Sequence, residues 1–308
     1  MNTVRFKFVA TLVSVVVLAA IILTAHASAG SAHARRTGSH AAARAALVPK
    51  GDILAAVNRR LFVLDRSGKR LRRLPRWHAP SGFYIEGLEL APDRRHAFIS
   101  VVGGDLPTRL YEVNLADGRK RLLSHAISPA LSPNGSRLLF LTIRRSKKLG
   151  FPLLTALVVR NLSSGRERAI PFHSRLPIGN PPELVTNWSP DGRHAVLLGG
   201  GHLRLVDTAK ARSVESQPPV GAHSLAPAFL DAHRLVVLAN CCMGRQRLVT
   251  VDLRSGRQTT FAEISSPVVS IRRLGTGQLL VVDQLGELLL VSRGHSKIIA
   301  TGIGAATA

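Results

Sequence analysis

Trp188-Ser189-Pro190-Asp191-Gly192-Arg193-His194 runs directly into Ala195-Val196-Leu197-Leu198. Proline presets φ for a turn, aspartate bonds its own backbone, and glycine takes the positive φ that closes it. The four apolar residues behind read as a short buried strand. One such turn decides little, but it recurs. Related turns precede apolar runs at Ala91-Pro92-Asp93-Arg94-Arg95 and Ser132-Pro133-Asn134-Gly135-Ser136. Weaker forms stand at Leu230-Asp231-Ala232-His233 and Leu274-Gly275-Thr276-Gly277.

A second turn class alternates with the first: Asp65-Arg66-Ser67-Gly68, Asn114-Leu115-Ala116-Asp117-Gly118, Asn161-Leu162-Ser163-Ser164-Gly165 and Asp252-Leu253-Arg254-Ser255-Gly256. With the weaker Asp207-Thr208-Ala209-Lys210 and Ser292-Arg293-Gly294, these turns start at 65, 114, 161, 207, 252 and 292, spaced by 49, 47, 46, 45 and 40 residues. That period falls in the range of four-stranded propeller blades. The runs between the turns, such as Arg137 to Ile143 and Leu235 to Ala239, are short and rich in Val, Leu and Ile. None shows a sustained helical period. The fold class is all-β: a single β-propeller of six four-stranded blades, seven being the alternative count.

The blade signature, an aromatic or apolar residue followed by Ser-Pro-Asp-Gly and a hydrophobic strand, resembles that of the TolB-like, WD-repeat-like propeller family. Trp188 to Leu198 matches it fully, Leu131 to Leu141 closely and Leu90 to Ile99 partly. The resemblance covers about Val48 to Thr301 and implies the fold far more than any activity, since such blades serve as generic interaction scaffolds. No N-terminal α/β domain of the TolB kind is expected before the blades. Blade one has three evident strands, and either Ala45-Ala46-Leu47-Val48 or Ile303 to Ala306 supplies the innermost fourth. A closed ring is expected, because an open one leaves unpaired strand edges.

The N-terminus reads as a targeting segment. Arg5 and Lys7 precede an apolar run from Phe8 to Ala25, and small-residue cleavage patterns follow at Ala25-His26-Ala27 and Ala27-Ser28-Ala29. Residues 1–27 are a signal peptide or an uncleaved N-terminal anchor. Residues 28–44, rich in Ala, Ser, Gly, His and Arg, form a flexible tether, and 45–308 form the propeller. The body is therefore expected outside the cytoplasm, secreted or held to the membrane by residues 8–25. The chain is strongly basic, with 42 Lys and Arg against 18 Asp and Glu. That charge favours anionic envelope surfaces, and export removes nucleic acid as a natural partner.

Strand order sorts the connections onto two faces. Both recurrent turn classes share one face and are uniformly short. Connections between second and third strands, and from blade to blade, share the other, which receives the irregular loops where binding residues usually sit. Candidate binding residues on that loop-rich face are Trp77, His78, Arg144, Arg145, Lys147, Lys148, His173, Arg175, His202, His223 and Arg245. The run Arg144 to Lys148 is the densest basic stretch and suits phosphate or carboxylate groups; a solvated hairpin tip explains it equally. Cys241 and Cys242, the only cysteines, form a vicinal disulfide, pair between molecules, or stay as thiols. The histidines lack metal-ligand spacing, and no metal is expected.

Catalytic motifs are missing: no Gly-x-Ser-x-Gly, no His-Glu-x-x-His, no phosphate loop before a helix. Glu86 and Glu89 make a carboxylate pair that spacing alone does not place across a substrate. The expected function is a non-catalytic extracytoplasmic scaffold without a cofactor, engaging a protein or an anionic envelope polymer through the loop-rich face. The alternative is a small propeller enzyme, lactonase-like or quinone-dependent dehydrogenase-like, working at the channel mouth. The latter requires inward-pointing carboxylates or histidines around the axis, and the adjacent cysteines are its distinctive support.

Overall fold

The computed structural model describes residues 47–308 apart from 69–70, 104–107, 146–151, 172–184, 200–201, 211, 217–226, 240–245 and 276. Every described element is a strand, and the strands form six four-stranded antiparallel sheets. Blade two holds β4 (Phe83–Leu90), β5 (His96–Gly103), β6 (Arg109–Asn114) and β7 (Lys120–Ser124). Blade three holds β8 (Ala126–Leu131), β9 (Arg137–Arg145), β10 (Pro152–Asn161) and β11 (Glu167–Pro171). Blade four comprises β12 (Val185–Trp188), β13 (His194–Gly199), β14 (His202–Asp207) and β15 (Arg212–Ser216). In blade five are β16 (Ala228–Phe229), β17 (Arg234–Ala239), β18 (Gln246–Asp252) and β19 (Gln258–Ile264). Blade six has β20 (Val268–Gly275), β21 (Gln278–Asp283), β22 (Leu288–Ser292) and β23 (His295–Ala300).

Blade one is completed by the end of the chain. To β1 (Ile53–Val57), β2 (Arg60–Leu64) and β3 (Leu71–His78) it adds β24 (Ala305–Thr307) as the innermost strand. Leu54 pairs with Thr307, Ala55 with Ala306 and Ala56 with Ala305. Of the two segments that could close the ring, the C-terminal one does so. Val48 is instead buried against blade two, where Leu47 and Val48 donate their N–H groups to the Arg94 carbonyl at 3.2 and 3.3 Å. The innermost strands touch in sequence around the axis, β24 to β4, β8, β12, β16, β20 and back to β24. The ring is closed.

The strand sequences follow from where their side chains go. Successive residues point to opposite faces of a sheet, and each blade packs both faces against neighbours. In β9, Leu138 and Phe140 join the cluster shared with blade two, while Leu139 and Leu141 join the one shared with blade four. The described core accordingly divides into six clusters, one at each interface between consecutive blades. Apolar residues on both faces explain why these antiparallel strands read as continuous runs instead of alternating ones.

Each signature turn is held by its own side chains. At Ser189 to His194, Gly192 (φ 67) donates to the Ser189 carbonyl at 2.9 Å. The Asp191 carboxylate accepts Arg193 N–H at 3.0 Å, and Ser189 Oγ accepts His194 N–H at 2.9 Å. Trp188 then reaches into blade three, donating its indole N–H to the Ala130 carbonyl at 2.9 Å beneath the Arg137 guanidinium. The two turn classes also bond to one another: Leu115 to Arg95, Leu162 to Ser136, Thr208 to Arg193 and Leu253 to His233, at 2.7–3.0 Å. They therefore share one face, as strand order requires.

Candidate functional site

On the opposite, loop-rich face the axial channel widens into a cavity of about 670 Å³. Its wall comes from the first residues of β4, β8 and β20, the β1–β2 turn at Asn58 and Arg59, the β21–β22 turn at Gln284 to Gly286, and the approach to β24 at Gly302 to Gly304. The rim is open to solvent and mixed in character, with Asn58, Arg59 and Gln284 exposed beside apolar side chains. Tyr84 is 48% exposed, Val269 46% and Leu285 72%, and these are three of the five exposed large hydrophobic residues among those described.

Below the rim stands Glu86, aimed by two irregular strands. Register shifts occur in β4 between Ile85 and Gly87 and in β8 between Ile127 and Ala130. Bulges of this kind re-aim a side chain. The Glu86 carboxylate accepts hydrogen bonds from Ser100 Oγ at 2.5 Å, Ser128 N–H at 3.1 Å and Ser128 Oγ at 3.0 Å. Gly87 is needed for this approach: a Cβ there would lie 2.6 Å from both Pro129 Cδ and Ser100 Oγ.

Of four described non-glycine residues with positive φ, three line the mouth. Asn58 (43°) and Arg59 (69°) form the two-residue β1–β2 hairpin loop, whose twist requires positive φ at both positions. Ser128 (51°) stands in the irregular stretch of β8. Arg59 is fixed by donating Nε and Nη2 to the Ala79 carbonyl at 3.2 and 2.7 Å. Burial, and then the Glu86 charge, push the Tyr84 phenol above its ordinary range.

Deeper in, the channel is braced across its axis. Arg272 of β20 pairs with Glu89 of β4 at 3.0 Å, their side chains 12% and 13% exposed, and reaches the Pro129 carbonyl of β8 at 3.5 Å. Asn187 of β12 donates its amide to the Pro227 carbonyl at 2.8 Å and the Ile271 carbonyl at 3.4 Å. Burial pushes the Glu89 carboxyl up, against Arg272 and the Leu131 backbone N–H, which hold it down. A smaller cavity of about 330 Å³, lined by Glu89, Trp188 and Arg273, opens on the short-turn side. Arg272 borders both cavities, so they meet at this brace.

The candidate residues expected from sequence fall elsewhere or beyond what is described. Trp77 and His78 belong to β3 and not to a loop; Trp77 is buried in the core at 5% exposure, while His78 is exposed opposite Arg60. Neither lines the mouth. β3 is an outermost strand, where the missing N–H of Pro75 is tolerated, and its pairing with β2 shifts register between Arg60 and Phe62. Arg144 and Arg145 end β9, paired with Leu153 and Pro152, and His202 opens β14 opposite Gly199; nothing is described of their side chains. Lys147, Lys148, His173, Arg175, His223, Arg245, Cys241 and Cys242 lie outside the described residues. Among the described residues no cluster of three His, Cys, Asp or Glu could hold a metal ion.

The residues that do meet at the mouth carry a faint sequence signal. Glu86-Gly87 interrupts the alternation of Phe83 to Leu90, and glycine inside a strand marks a bulge or a close backbone approach. Ser128-Pro129 interrupts β8 in the same way.

No protein-family model matches the chain, and no curated protein matches it in sequence. Solved structures do match in shape. TolB from Acinetobacter baumannii superposes with a TM-score of 0.58 at 13% identity, over 82% of this chain and 62% of that one. A putative TolB from Agrobacterium tumefaciens gives 0.58 at 13% identity, over 82% of this chain and 92% of that one. An oligogalacturonate lyase in complex with manganese gives 0.51 at 13%, over 79% and 70%. This chain thus spans less than two thirds of the Acinetobacter protein. At such identities the likeness speaks to fold alone. The chain is a six-bladed β-propeller whose structural neighbours are TolB-like propeller proteins.

Proposed function

We propose that this protein is a non-catalytic extracytoplasmic binding scaffold that engages a protein partner through the channel mouth of its loop-rich face. One observation carries the reading: Tyr84, Val269 and Leu285 stand exposed around a cavity whose floor presents a held carboxylate, Glu86. Contiguous exposed apolar surface rimmed by polar groups is characteristic of interaction sites. An anionic envelope polymer, the other candidate ligand, makes less use of the exposed Tyr84, Val269 and Leu285 side chains than a protein does. The extracytoplasmic setting is supported by the leader-like residues 1–27.

A photo-crosslinking residue at position 285 of the full chain in its own cells tests the reading. A discrete protein adduct at 285, absent at the exposed outer-strand position 298 and lost on Tyr84→Ser, is expected. Equal labelling at 285 and 298, or no protein adduct at 285, would overturn it. The inward direction of Glu86 and Glu89 is what an enzyme at the mouth would need. Against that reading, Glu86 already accepts three hydrogen bonds and Glu89 is paired with Arg272.

A further inference from the structure

The face opposite the mouth carries a charge arrangement that binding at the mouth does not use. In blades two, three and five the turn before the outermost strand is built alike. Gly118, Gly165 and Gly256 stand at φ 71, 68 and 68, and each donates its N–H at 2.9 Å, to the carbonyls of Asn114, Asn161 and Asp252. The next residue is arginine every time: Arg119, Arg166 and Arg257. Because the blades are rotational repeats, these side chains recur at similar height and radius around the axis. Arg193 and Lys210 supply blade four, and Arg254 adds a second cation in blade five. All six are exposed, and Arg66 and Arg293, also exposed, continue the ring through blades one and six.

Charge on this face is layered. The turn carboxylates fold back onto their own backbone. Asp191 accepts Arg193 N–H at 3.0 Å, Asp207 accepts Ala209 and Lys210 N–H at 3.0 Å, and Asp252 accepts Arg254 and Ser255 N–H at 2.9 and 2.8 Å. Short acidic side chains stay in the turn while long basic ones reach past them. Arg119 and Lys210 make only loose contacts with Asp117 and Asp207, at 3.4 and 3.9 Å, with side chains 89% and 76% exposed. Such pairs leave the cations available. Uniformly short turns make the ring shallow, which suits a planar array of negative charge better than a shaped ligand.

The chain also enters the propeller on this side. Arg94, in the short turn of blade two, receives the Leu47 and Val48 N–H groups on its carbonyl and donates its guanidinium to the carbonyls of Val48, Pro49 and Asp52 at 2.7–2.8 Å. In sequence, about twenty residues separate that point from the apolar run Phe8 to Ala25. The exposed cationic ring itself is the complement of an anionic headgroup layer. We infer that the short-turn face docks on anionic lipid headgroups, leaving the channel mouth directed away from the membrane. The inference stands apart from the identity of whatever occupies the mouth.

The test uses the full chain with vesicles of phosphatidylcholine, alone or mixed about three to one with phosphatidylglycerol. The apolar segment contributes to both, so the ratio of bound protein isolates the headgroup interaction. Roughly ten-fold preference for the anionic vesicles is expected, falling as salt shortens the screening length. Changing Arg119, Arg166, Arg193 and Arg257 together to Glu should abolish the preference, and changing the same four to Gln should reduce it while adding no like-charge repulsion within the fold. Changing Arg144, Arg145, Lys147 and Lys148 to Glu should leave it intact. Preference retained in both ring variants, or lost equally in the Arg144–Lys148 variant, would overturn the inference. Crosslinking at position 285 in the ring variants reads the mouth separately.

Discussion

Removing the Arg272 guanidinium, by Arg272→Met, leaves Glu89 as a largely buried carboxylate without its cation. Both side chains are almost withdrawn from solvent, at 12% and 13% exposure, so screening offers little relief. Breaking a buried pair from one side costs about 3–5 kcal/mol, whereas replacing both partners by apolar groups is often nearly neutral. At roughly 2–4 °C per kcal/mol, the single variant should melt about 6–20 °C below the parent. Arg272→Met with Glu89→Leu should recover most of that loss, giving a coupling of at least about 2 kcal/mol in the double-mutant cycle. The pH response supplies a second arm. Burial already raises the Glu89 carboxyl, and Arg272 opposes that rise; without Arg272 the folded-state value climbs further. A raised carboxyl contributes stability that is present below its unfolded value and lost as pH rises through the folded value. The deficit of Arg272→Met relative to the parent should therefore shrink between about pH 7 and about pH 4.5. Urea unfolding across that range measures it. An additive cycle, or a deficit below about 1 kcal/mol that ignores pH, would show the brace to be solvated and the reasoning wrong.

Other outcomes follow from the same geometry. Gly68 and Gly256 close the turns before the outermost strands of blades one and five, a four-residue and a five-residue turn, at φ 70 and 68. A Cβ at Gly68 would lie 1.7 Å from the Ile299 carbonyl oxygen, while one at Gly256 meets nothing within 4 Å. Gly256→Ala should cost about 1–2 kcal/mol from backbone strain alone, and Gly68→Ala about 3 kcal/mol or more as blades one and six are forced apart; equal melting temperatures would refute the packing argument. Deleting Ala305 to Ala308 strips the inner edge of β1, so the truncated chain should lose its cooperative melt and bind a hydrophobic dye, whereas an unchanged transition would deny the closure. Asp252→Asn should preserve stability at neutral pH, because Asn161 Oδ1 already accepts two backbone N–H groups in the same turn of blade three. The Ser255 backbone N–H, foremost, holds the Asp252 carboxyl below its ordinary range, so its stabilisation exists above the unfolded value and fades as pH falls through the folded one. The acid limb of the stability curve should accordingly be shallower in Asp252→Asn.

How much of this was legible beforehand depended on how local the deciding physics was. The six blades were readable because turns such as Ser189 to His194 are closed by their own Ser, Asp and Gly. Closure was not, since Ala45 to Val48 and Ile303 to Ala306 are equally short and apolar. The choice is made by the Arg94 carbonyl, which takes Leu47 and Val48, and by Leu54, which takes Thr307. The channel mouth was legible as a region but not by residue. Glu86 faces the axis through register shifts in two neighbouring strands, and a shift leaves only a glycine or a Ser-Pro pair as its trace. Trp77 shows the opposite case: strand order alone places it on the loop-rich face, but it lies buried in the outermost strand of blade one.

The pairing of β24 with β1 has a kinetic side. Blades two to six each draw their four strands from one continuous stretch, so every hairpin in them can form from neighbours. Blade one must wait for the last residues of the chain, making its final strand the longest-range strand pairing among the described residues. Loop-closure entropy grows only slowly with length, but folding rates fall as contacts become less local. Until Ala305 to Thr307 arrive, β1 presents an open strand edge of the kind that pairs with other chains. A chain lacking that pairing would be a ring complete in five blades and unlatched in the first, and three small residues, Ala305 to Thr307, are what latch it.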